Sequence, residues 1–179
     1  MTDNEGRTLH EKNYLIQKAQ VYGVLPRVMS NARRLNDGMG AYVANQTIKY
    51  MNKKGVMVKD SKILILGITF KENCPDIRNT KVVDIYHTLQ EYTPNITVYD
   101  PWANPDAVKR EYGIDIVNDL SQINSKQSTV NGKPKFDACI AAVAHKKFEG
   151  LDILTLLKEK HVVFDVKCTL DRNLVDGRL

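Results

Sequence analysis

After Gly55 the sequence alternates short apolar runs with helical segments, and this alternation constrains the fold more than any other feature. The runs are rich in Val, Ile and Leu, as strands buried on both faces are. They are Lys62–Ile68, Ile96–Tyr99, Asp115–Val117, Phe136–Ala144 and Val162–Val166. The predicted helices between them are Thr80–Tyr92, Pro105–Tyr112 and Leu151–Lys160. The pattern predicts an α/β fold, a Rossmann-like doubly wound parallel sheet over residues 56–179.

The polar segment Ser121–Lys135 interrupts this alternation. It is rich in Ser, Asn, Gln and Lys, which indicates a surface loop or insertion. In the predicted architecture, ligands bind beyond the carboxyl ends of the strands. The functional residues are therefore expected in the loops that follow the apolar runs.

Residues 14–54 have a helical pattern, because their apolar residues recur at mostly three, four or seven positions. A break at Gly23–Pro26 predicts two helices, since Gly ends a helix readily and Pro is tolerated in the first turn of the next. We therefore expect a helical arm at 1–55, before the domain at 56–179. An apolar stripe on so long a helix predicts a partner surface.

Composition excludes several classes of protein. The 26 Lys and Arg residues exceed the 21 Asp and Glu residues, but the two signs are interspersed, and no zinc, RRM or homeodomain pattern accompanies them. We expect no nucleic-acid partner. We also expect no membrane partner and a cytoplasmic location, because no apolar run is long enough to span a bilayer and the polar N-terminus does not look like a secretory signal. The 3 cysteines are widely spaced, which predicts neither a disulfide framework nor a metal site.

The strongest local signal is the turn after the first predicted strand, from Leu66 to Lys81. It contains Gly67 but no G-x-G-x-x-G, so the standard NAD fingerprint is not supported. It offers instead the cations Lys71 and Arg78 beside Asp76. Lysine supplies a point charge and arginine a fork of donors to phosphate oxygens. The turn either binds an anion or forms a salt bridge at the start of a helix.

Some other polar residues have more ordinary interpretations. Asp100, at the end of the second predicted strand, lies where a Rossmann acid meets a ribose hydroxyl. Asp-Pro-Trp also favours a turn, which is the preferred interpretation. We expect structural roles for His145 and His161, because each lies at the end or the start of a predicted strand. We expect the same for Cys74, because no histidine lies near it in sequence to activate it.

The turn Phe70–Arg78 fits F-K-x-x-x-x-D-x-R and resembles the signature of the UDP-glucose/GDP-mannose dehydrogenase family, in particular the branch that oxidises UDP-N-acetylhexosamines. The resemblance continues over much of the chain. Further matching segments are Tyr14–Ala19, Ala32–Asp37, Val98–Ala103, Ala142–His145 and Phe164–Lys167.

The resemblance implies roles for particular residues. Phe70 and Lys71 would contact a UDP-sugar, and Arg78 would reach the phosphates of NAD, the family's cofactor, from across a domain cleft. Lys167 occupies the place of a late basic residue that contacts substrate, although arginine is common there in the family. It is alternatively an exposed lysine after the last strand, and Arg172 is an alternative cation for that role.

The family's nucleophilic cysteine lies in a Gly-Gly-x-Cys segment just before the helical arm, and this sequence contains no such segment. The family's N-terminal NAD-binding fold is also missing. We therefore expect no catalytic residue in this chain and an inactive isolated chain. In the family, the long helix forms a homodimer interface. Arg33, Arg34, Asn36 and Asp37 would then face a neighbouring active site or form a solvated helix face.

The expected function is thus the UDP-sugar-binding portion of an NAD-dependent nucleotide-sugar 6-dehydrogenase. Such an enzyme oxidises a C6 alcohol to a carboxylate for surface or capsular polysaccharide synthesis. The alternative is a stand-alone dimerisation or regulatory remnant without ligand binding. The sequence leaves open which UDP-sugar is bound.

Overall fold

The computed structural model describes residues 11–121, 123 and 135–179. The chain divides into two compact units, one ending at Met39 and the other spanning Gly40–Leu179. The predicted loop at Ser121–Lys135 lies almost entirely outside the described residues. In the part that is described, no helix is long and apolar enough to cross a bilayer.

Two helices open the described chain. They are α1 (Glu11–Val21) and α2 (Arg27–Lys53), and they confirm the predicted helical arm. The break also falls where it was predicted. Gly23 has φ +73°, and this left-handed conformation lets the chain leave α1 at little steric cost.

A six-stranded parallel sheet forms the centre of the second unit. Its strands are β1 (Ile63–Leu66), β2 (Ile96–Tyr99), β3 (Ile116–Val117), β4 (Phe136–Ala141), β5 (Leu157–Asp165) and β6 (Gly177–Arg178). Their order is β3-β2-β1-β4-β5-β6, and every neighbouring pair is parallel. The helices α3 (Val82–Gln90) and α4 (Pro105–Tyr112) follow β1 and β2. The predicted Rossmann-like fold is confirmed.

Side chains of β1 alternate between two apolar clusters, one on each face of the sheet. Ile63 and Ile65 belong to the cluster that also contains buried residues of α2, α3 and α4. Leu64 and Leu66 belong to the other cluster, together with Phe148. Because both faces are covered, every residue of β1 is fully buried, which explains the uninterrupted apolar run in the sequence.

The predicted helix Leu151–Lys160 is wrong. A 3₁₀ helix occupies Ile153–Leu156, with the Asp152 side chain accepting the N–H of Leu154, and β5 begins at Leu157. The register of β5 against β4 shifts between the pairs Phe136–Leu157 and Ala138–Val162. The β5 strand therefore starts earlier than its apolar run indicates. The short strand β6 was not predicted.

The C-terminal half of α2 belongs to the same compact unit as the sheet. Val43, Ala44, Ile48 and Met51 of α2 are buried in the cluster around Ile63. The compact units divide the chain between Met39 and Gly40. The predicted division by function, into a dimerisation arm at 1–55 and a UDP-sugar-binding domain at 56–179, stays a prediction.

Candidate functional site

The candidate site lies at the carboxyl edge of the sheet, where the strand order reverses. The chain passes from β1 to β2 on one side, and β4 occupies the other side of β1. Connections from neighbouring strands that lead to opposite sides leave a crevice between them, and ligands of open α/β sheets bind there. Residues 67–81 follow β1, residues 142–150 follow β4, and residues 166–171 follow β5. These three segments frame the candidate site.

The segments after β1 and β4 are in close contact. Gly67 has φ +89°, and its N–H donates to the carbonyl of Tyr99 over 2.8 Å. The carbonyl of Leu66 accepts the N–H groups of Ala142 and Val143 over 3.0 and 3.1 Å. The crevice floor is therefore fixed by backbone hydrogen bonds that cross from one strand end to the next.

Asp100 anchors the turn after β1 to the end of β2. Its Oδ2 accepts the N–H of Ile68 over 2.7 Å and that of Thr69 over 3.1 Å. Its Oδ1 accepts the N–H of Trp102 over 2.8 Å and that of Ala103 over 3.0 Å. The residue is fully buried. The favoured interpretation of Asp100 as a turn residue thus matches its contacts, because its oxygens are already occupied by protein donors.

His145 adds a further hydrogen bond to this carboxylate, with Nε2 3.1 Å from Oδ2 of Asp100. Burial raises the pKa of Asp100, but the hydrogen bonds from His145 and from backbone N–H groups outweigh burial and lower that pKa to about 2. Asp100 is therefore a charged anchor, and His145 has the structural surroundings that the sequence predicted. His161, in the middle of β5, places Nδ1 2.7 Å from the carbonyl of Lys158.

Phe70 and Lys71 project from the turn that Asp100 anchors. Phe70 is 51% exposed, so its ring is accessible to a ligand. The Lys71 Nζ lies 5.5 Å from the centre of the Phe70 ring. The ammonium lies over the ring of Phe70, so an aromatic ring and a cation are exposed together, which suits a ligand with a flat ring and a negative charge.

Arg78 and Asp76 form a two-point ion pair in the same turn. Nε of Arg78 donates to Oδ1 over 2.9 Å, and its second guanidinium nitrogen donates to Oδ2 over 2.8 Å. These hydrogen bonds lower the pKa of Asp76 to about 2. The Arg78 side chain nevertheless remains 76% exposed, so the fork is held in one orientation while open to solvent. The turn therefore has an internal salt bridge, and the cation of that salt bridge is also accessible to an anion.

Lys167 lies just beyond β5 and is exposed. Its backbone N–H donates to Oδ1 of the buried Asp165 over 3.1 Å, and the N–H of Leu170 donates to Oδ2 over 2.9 Å. Arg178 places a guanidinium nitrogen 3.6 Å from the same carboxylate. Asp165 therefore orders the loop after β5 as Asp100 orders the turn after β1. Arg172, the alternative cation, is exposed in the 3₁₀ helix Arg172–Leu174.

Sequence reasoning missed two further cations at this edge. Lys146 and Lys147 follow β4 directly and are exposed, and the N–H of Lys146 donates to Oδ1 of Asn73 over 2.9 Å. The signal was available, since both residues follow a predicted strand at its carboxyl end. They were overlooked because no sequence motif surrounds them.

The other candidates have ordinary surroundings. Among the described residues, no group of three or more His, Cys, Asp or Glu is placed to hold a metal ion. Cys74 is half-buried in the turn after β1. Burial raises the pKa of the Cys139 thiol to about 12. On the arm, Nε of Arg33 lies 3.3 Å from Oδ2 of Asp37, one helical turn away.

A family model of known proteins matches the part of the chain that contains the carboxyl edge of the sheet. The family model described as "UDP-glucose/GDP-mannose dehydrogenase family, UDP binding domain" matches residues 64–172, which include most of β1, the turn with Phe70 and Lys71, and the loop with Lys167. The chain belongs to this dehydrogenase family. Its UDP-binding domain contains the whole carboxyl edge of β1, β4 and β5.

Named relatives agree with the family assignment. A UDP-N-acetyl-D-glucosamine 6-dehydrogenase of Salmonella typhi is 43% identical over 93% of this chain, and so is an enzyme of the same name from Pseudomonas aeruginosa. Protein CapL of Staphylococcus aureus is 39% identical over 86% of the chain and 34% of its own length. The chain spans 37% of the length of the first two relatives.

Solved structures of the family share the fold. An NDP-N-acetyl-D-galactosaminuronic acid dehydrogenase of Methanosarcina mazei superposes with a TM-score of 0.74 and 19% identity, over 92% of this chain and 36% of that one. A UDP-glucose dehydrogenase of Pyrobaculum islandicum gives a TM-score of 0.71 and 21% identity, over 93% of this chain and 35% of that one. At these identities the likeness concerns the fold alone.

Proposed function

We propose that this chain is the UDP-sugar-binding portion of an NAD-dependent nucleotide-sugar 6-dehydrogenase that serves surface or capsular polysaccharide synthesis. The observation that carries the proposal is the match of the family's UDP binding domain to residues 64–172, in which exposed cations follow β1, β4 and β5 at the carboxyl edge of the sheet. The names of the relatives from Salmonella typhi and Pseudomonas aeruginosa favour a UDP-N-acetylhexosamine as the sugar nucleotide.

Phe70, Lys71 and Lys167 are the proposed contacts to the UDP-sugar. Phe70 and Lys71 are adjacent and exposed on the turn after β1, where the aromatic face suits a ring and the ammonium suits a phosphate. Lys167 lies on the loop after β5, two strands along the same edge. Cations on separate loops allow a diphosphate to be held from more than one side.

Arg78 is the proposed contact to NAD phosphates in the complete enzyme. Its guanidinium is exposed and oriented by Asp76, as a phosphate-binding fork requires. The described residues do not fit a whole NAD site. The turn after β1 has one glycine, Gly67, and the carboxylate of Asp100 is occupied by protein donors instead of being open to a ribose. We therefore expect weak NAD affinity for this chain and assign no catalytic step to it.

Calorimetry tests the proposal directly. UDP-N-acetylglucosamine, UDP and NAD are titrated separately into the full chain. We expect weak, saturable binding of the two uridine nucleotides and little binding of NAD. Tighter binding of NAD than of UDP would contradict the proposal.

We further propose that the helical arm forms a homodimer. Large apolar side chains are exposed on the first unit, among them Val21, Tyr22, Leu25, Val28 and Leu35. Several exposed apolar side chains on one segment are typical of a surface that binds another protein chain. Light scattering over a range of concentrations tests this, and a stable monomer at high concentration would contradict it.

The homodimer also leads to the second candidate function, a dimerisation or regulatory module without ligand binding. The two candidates differ in a thermal-shift experiment with UDP-sugars, because a ligand that binds the native state raises its melting temperature. A dimer whose melting temperature is unchanged by every UDP-sugar would favour the second candidate.

A further inference from the structure

The His145 side chain connects three segments at the carboxyl edge although it is buried, with 1% of the residue exposed. Its Nδ1 accepts the backbone N–H of Asn73 over 2.9 Å. Its Nε2 lies 3.1 Å from Oδ2 of Asp100 and 3.1 Å from the Thr69 hydroxyl oxygen. His145 is itself part of the loop after β4, and its ring contacts both the turn after β1 and the end of β2.

These contacts define where the imidazole carries its proton. A backbone N–H donates only, so Nδ1 must be the unprotonated acceptor. The Thr69 hydroxyl donates to the carbonyl of Lys71 over 2.9 Å, so the Thr69 oxygen is free to accept a proton from Nε2. The Asp100 carboxylate also accepts. The neutral imidazole with its hydrogen on Nε2 accounts for these contacts, because that one hydrogen can be shared between the Asp100 carboxylate and the Thr69 oxygen.

Asn73 forms a second hydrogen bond with the loop after β4. Oδ1 of Asn73 accepts the N–H of Lys146, the residue after His145, over 2.9 Å. Asn73 has φ +55°, a left-handed conformation that asparagine tolerates better than most residues. Asn73 thus donates one hydrogen bond to the loop after β4 and accepts one from it.

The exposed residues of the turn lie between its two fixed points. Thr69 and Asn73 both contact His145, and Phe70, Lys71 and Glu72 between them are exposed. Within this stretch, the N–H of Phe70 donates to the carbonyl of Asp76 over 2.8 Å. Exposed side chains gain little from packing, so their placement depends on the hydrogen bonds at the ends of the stretch.

We propose that His145 is a positioning residue for the UDP-sugar site, and that its neutral imidazole fixes the turn that presents Phe70 and Lys71. The inference rests on the proposed function, since it concerns the same site. His145 acts through the turn and does not contact the ligand. The Nδ1 contact sets the position of the turn, whereas the Nε2 contact serves mainly the buried Asp100.

Two substitutions separate the two nitrogen atoms. In His145→Gln the side-chain amide reaches the position of Nε2 and keeps a donor for Asp100, but no acceptor remains for Asn73. In His145→Asn an acceptor remains near the position of Nδ1, and the donor to Asp100 is lost. Both variants are made in the full chain and titrated with UDP-N-acetylglucosamine by calorimetry.

We expect His145→Gln to unfold at a slightly lower midpoint and to lose about fivefold in UDP-sugar affinity, the equivalent of one lost hydrogen bond. We expect His145→Asn to be less stable but to bind within about twofold of the unsubstituted chain, because the turn stays fixed. Amide exchange at Phe70–Asn73 should be faster in His145→Gln alone. Equal affinity and equal exchange in His145→Gln would overturn the positioning role.

Two further measurements keep the inference testable if a His145 variant fails to fold. Nitrogen NMR of the unsubstituted chain should show a protonated Nε2 and a bare Nδ1 for His145, and a proton on Nδ1 would overturn the inference. Asn73→Gly keeps the left-handed backbone and removes the bond to Lys146, so it should also weaken UDP-sugar binding. Absence of binding by the unsubstituted chain would instead reject the proposed function, while exchange and NMR still report on the turn.

Discussion

Gly67 and Val143 lie so close together that a Cβ built on Gly67 would be 2.5 Å from the Cβ of Val143. The two residues lie just beyond β1 and β4, the strands between which the order of the sheet reverses. Gly67 also has φ +89°, where a side chain is strained in any surroundings. The close approach of these two segments therefore requires glycine, which has no side chain, at position 67.

Gly67→Ala should destabilise the fold by about 2–4 kcal/mol, because strain from the positive φ adds to overpacking against a buried neighbour. Gly113→Ala is the matched control. Gly113 has φ +71° but nothing within 4 Å of a built Cβ, so it should lose only the backbone share, about 1 kcal/mol. Urea unfolding measures both values. Equal losses of stability in the two variants would show that Val143 can move to accommodate the added methyl group without further destabilising the fold.

Asp100→Asn tests the charged anchor beneath the turn. The amide keeps the shape but loses an acceptor oxygen and the charge, so we expect a loss of about 2–4 kcal/mol at about pH 7. Because the pKa of Asp100 is lowered to about 2 from 3.8, its ionisation stabilises the fold above pH 3.8, and this stability is lost as the pH falls through 2.

The difference in free energy of unfolding between the unsubstituted chain and Asp100→Asn reports on this carboxyl group alone, because the other groups that titrate in acid are common to both proteins. It should shrink by about 2 kcal/mol between about pH 5 and about pH 2. Urea unfolding at a series of pH values measures it. A difference that stays constant over that range would show that the pKa of Asp100 is the same in the folded and the unfolded protein.

Sequence patterns predicted the sheet well because its central strands are buried on both faces. An uninterrupted apolar run such as Ile63–Leu66 is typical of a strand that is covered on both sides. The start of β5 could not be predicted in this way. Lys158, Glu159 and Lys160 are exposed in that strand, and their place follows from pairing with β4 across a register shift. Pairing between distant segments leaves no local pattern.

The candidate site shows the same limit. The cations Lys71 and Arg78 were found in the sequence because a motif surrounds them. The contact between Asp100 and His145 joins residues 45 positions apart, and it depends on the order of the strands. Residue types alone predicted that Asp100 favours a turn and that His145 is structural. They did not predict that the two residues meet beneath Phe70 and Lys71.

Arg78→Ala should raise the pKa of Asp76 from about 2 towards its ordinary value of 3.8, because the hydrogen bonds from Arg78 are its main cause. Arg78→Lys should give an intermediate pKa, since lysine keeps the charge but not the fork. Carbon NMR of the carboxyl group during an acid titration measures this. The fold should lose little stability, because the pair is largely exposed.

The same variant tests the proposed separation of ligand contacts at the edge. With Arg78 assigned to NAD phosphates, Arg78→Ala should leave UDP-sugar affinity within about twofold. A large loss of UDP-sugar binding would instead place Arg78 at the substrate.

Lys71→Ala should weaken UDP-sugar binding by about 1.5–3 kcal/mol, the contribution of a charge-assisted hydrogen bond to phosphate. This corresponds to a roughly tenfold to 150-fold rise in Kd by calorimetry. Stability should be almost unchanged, because Lys71 is exposed. Lys109→Ala is the matched control: Lys109 is an exposed lysine on α4, paired with Asp115 over 2.6 Å, just before β3 at the opposite edge of the sheet. Both variants lose one positive charge, so an equal loss of affinity would indicate general attraction by net charge. A loss confined to Lys71→Ala would assign the phosphate contact to the turn after β1.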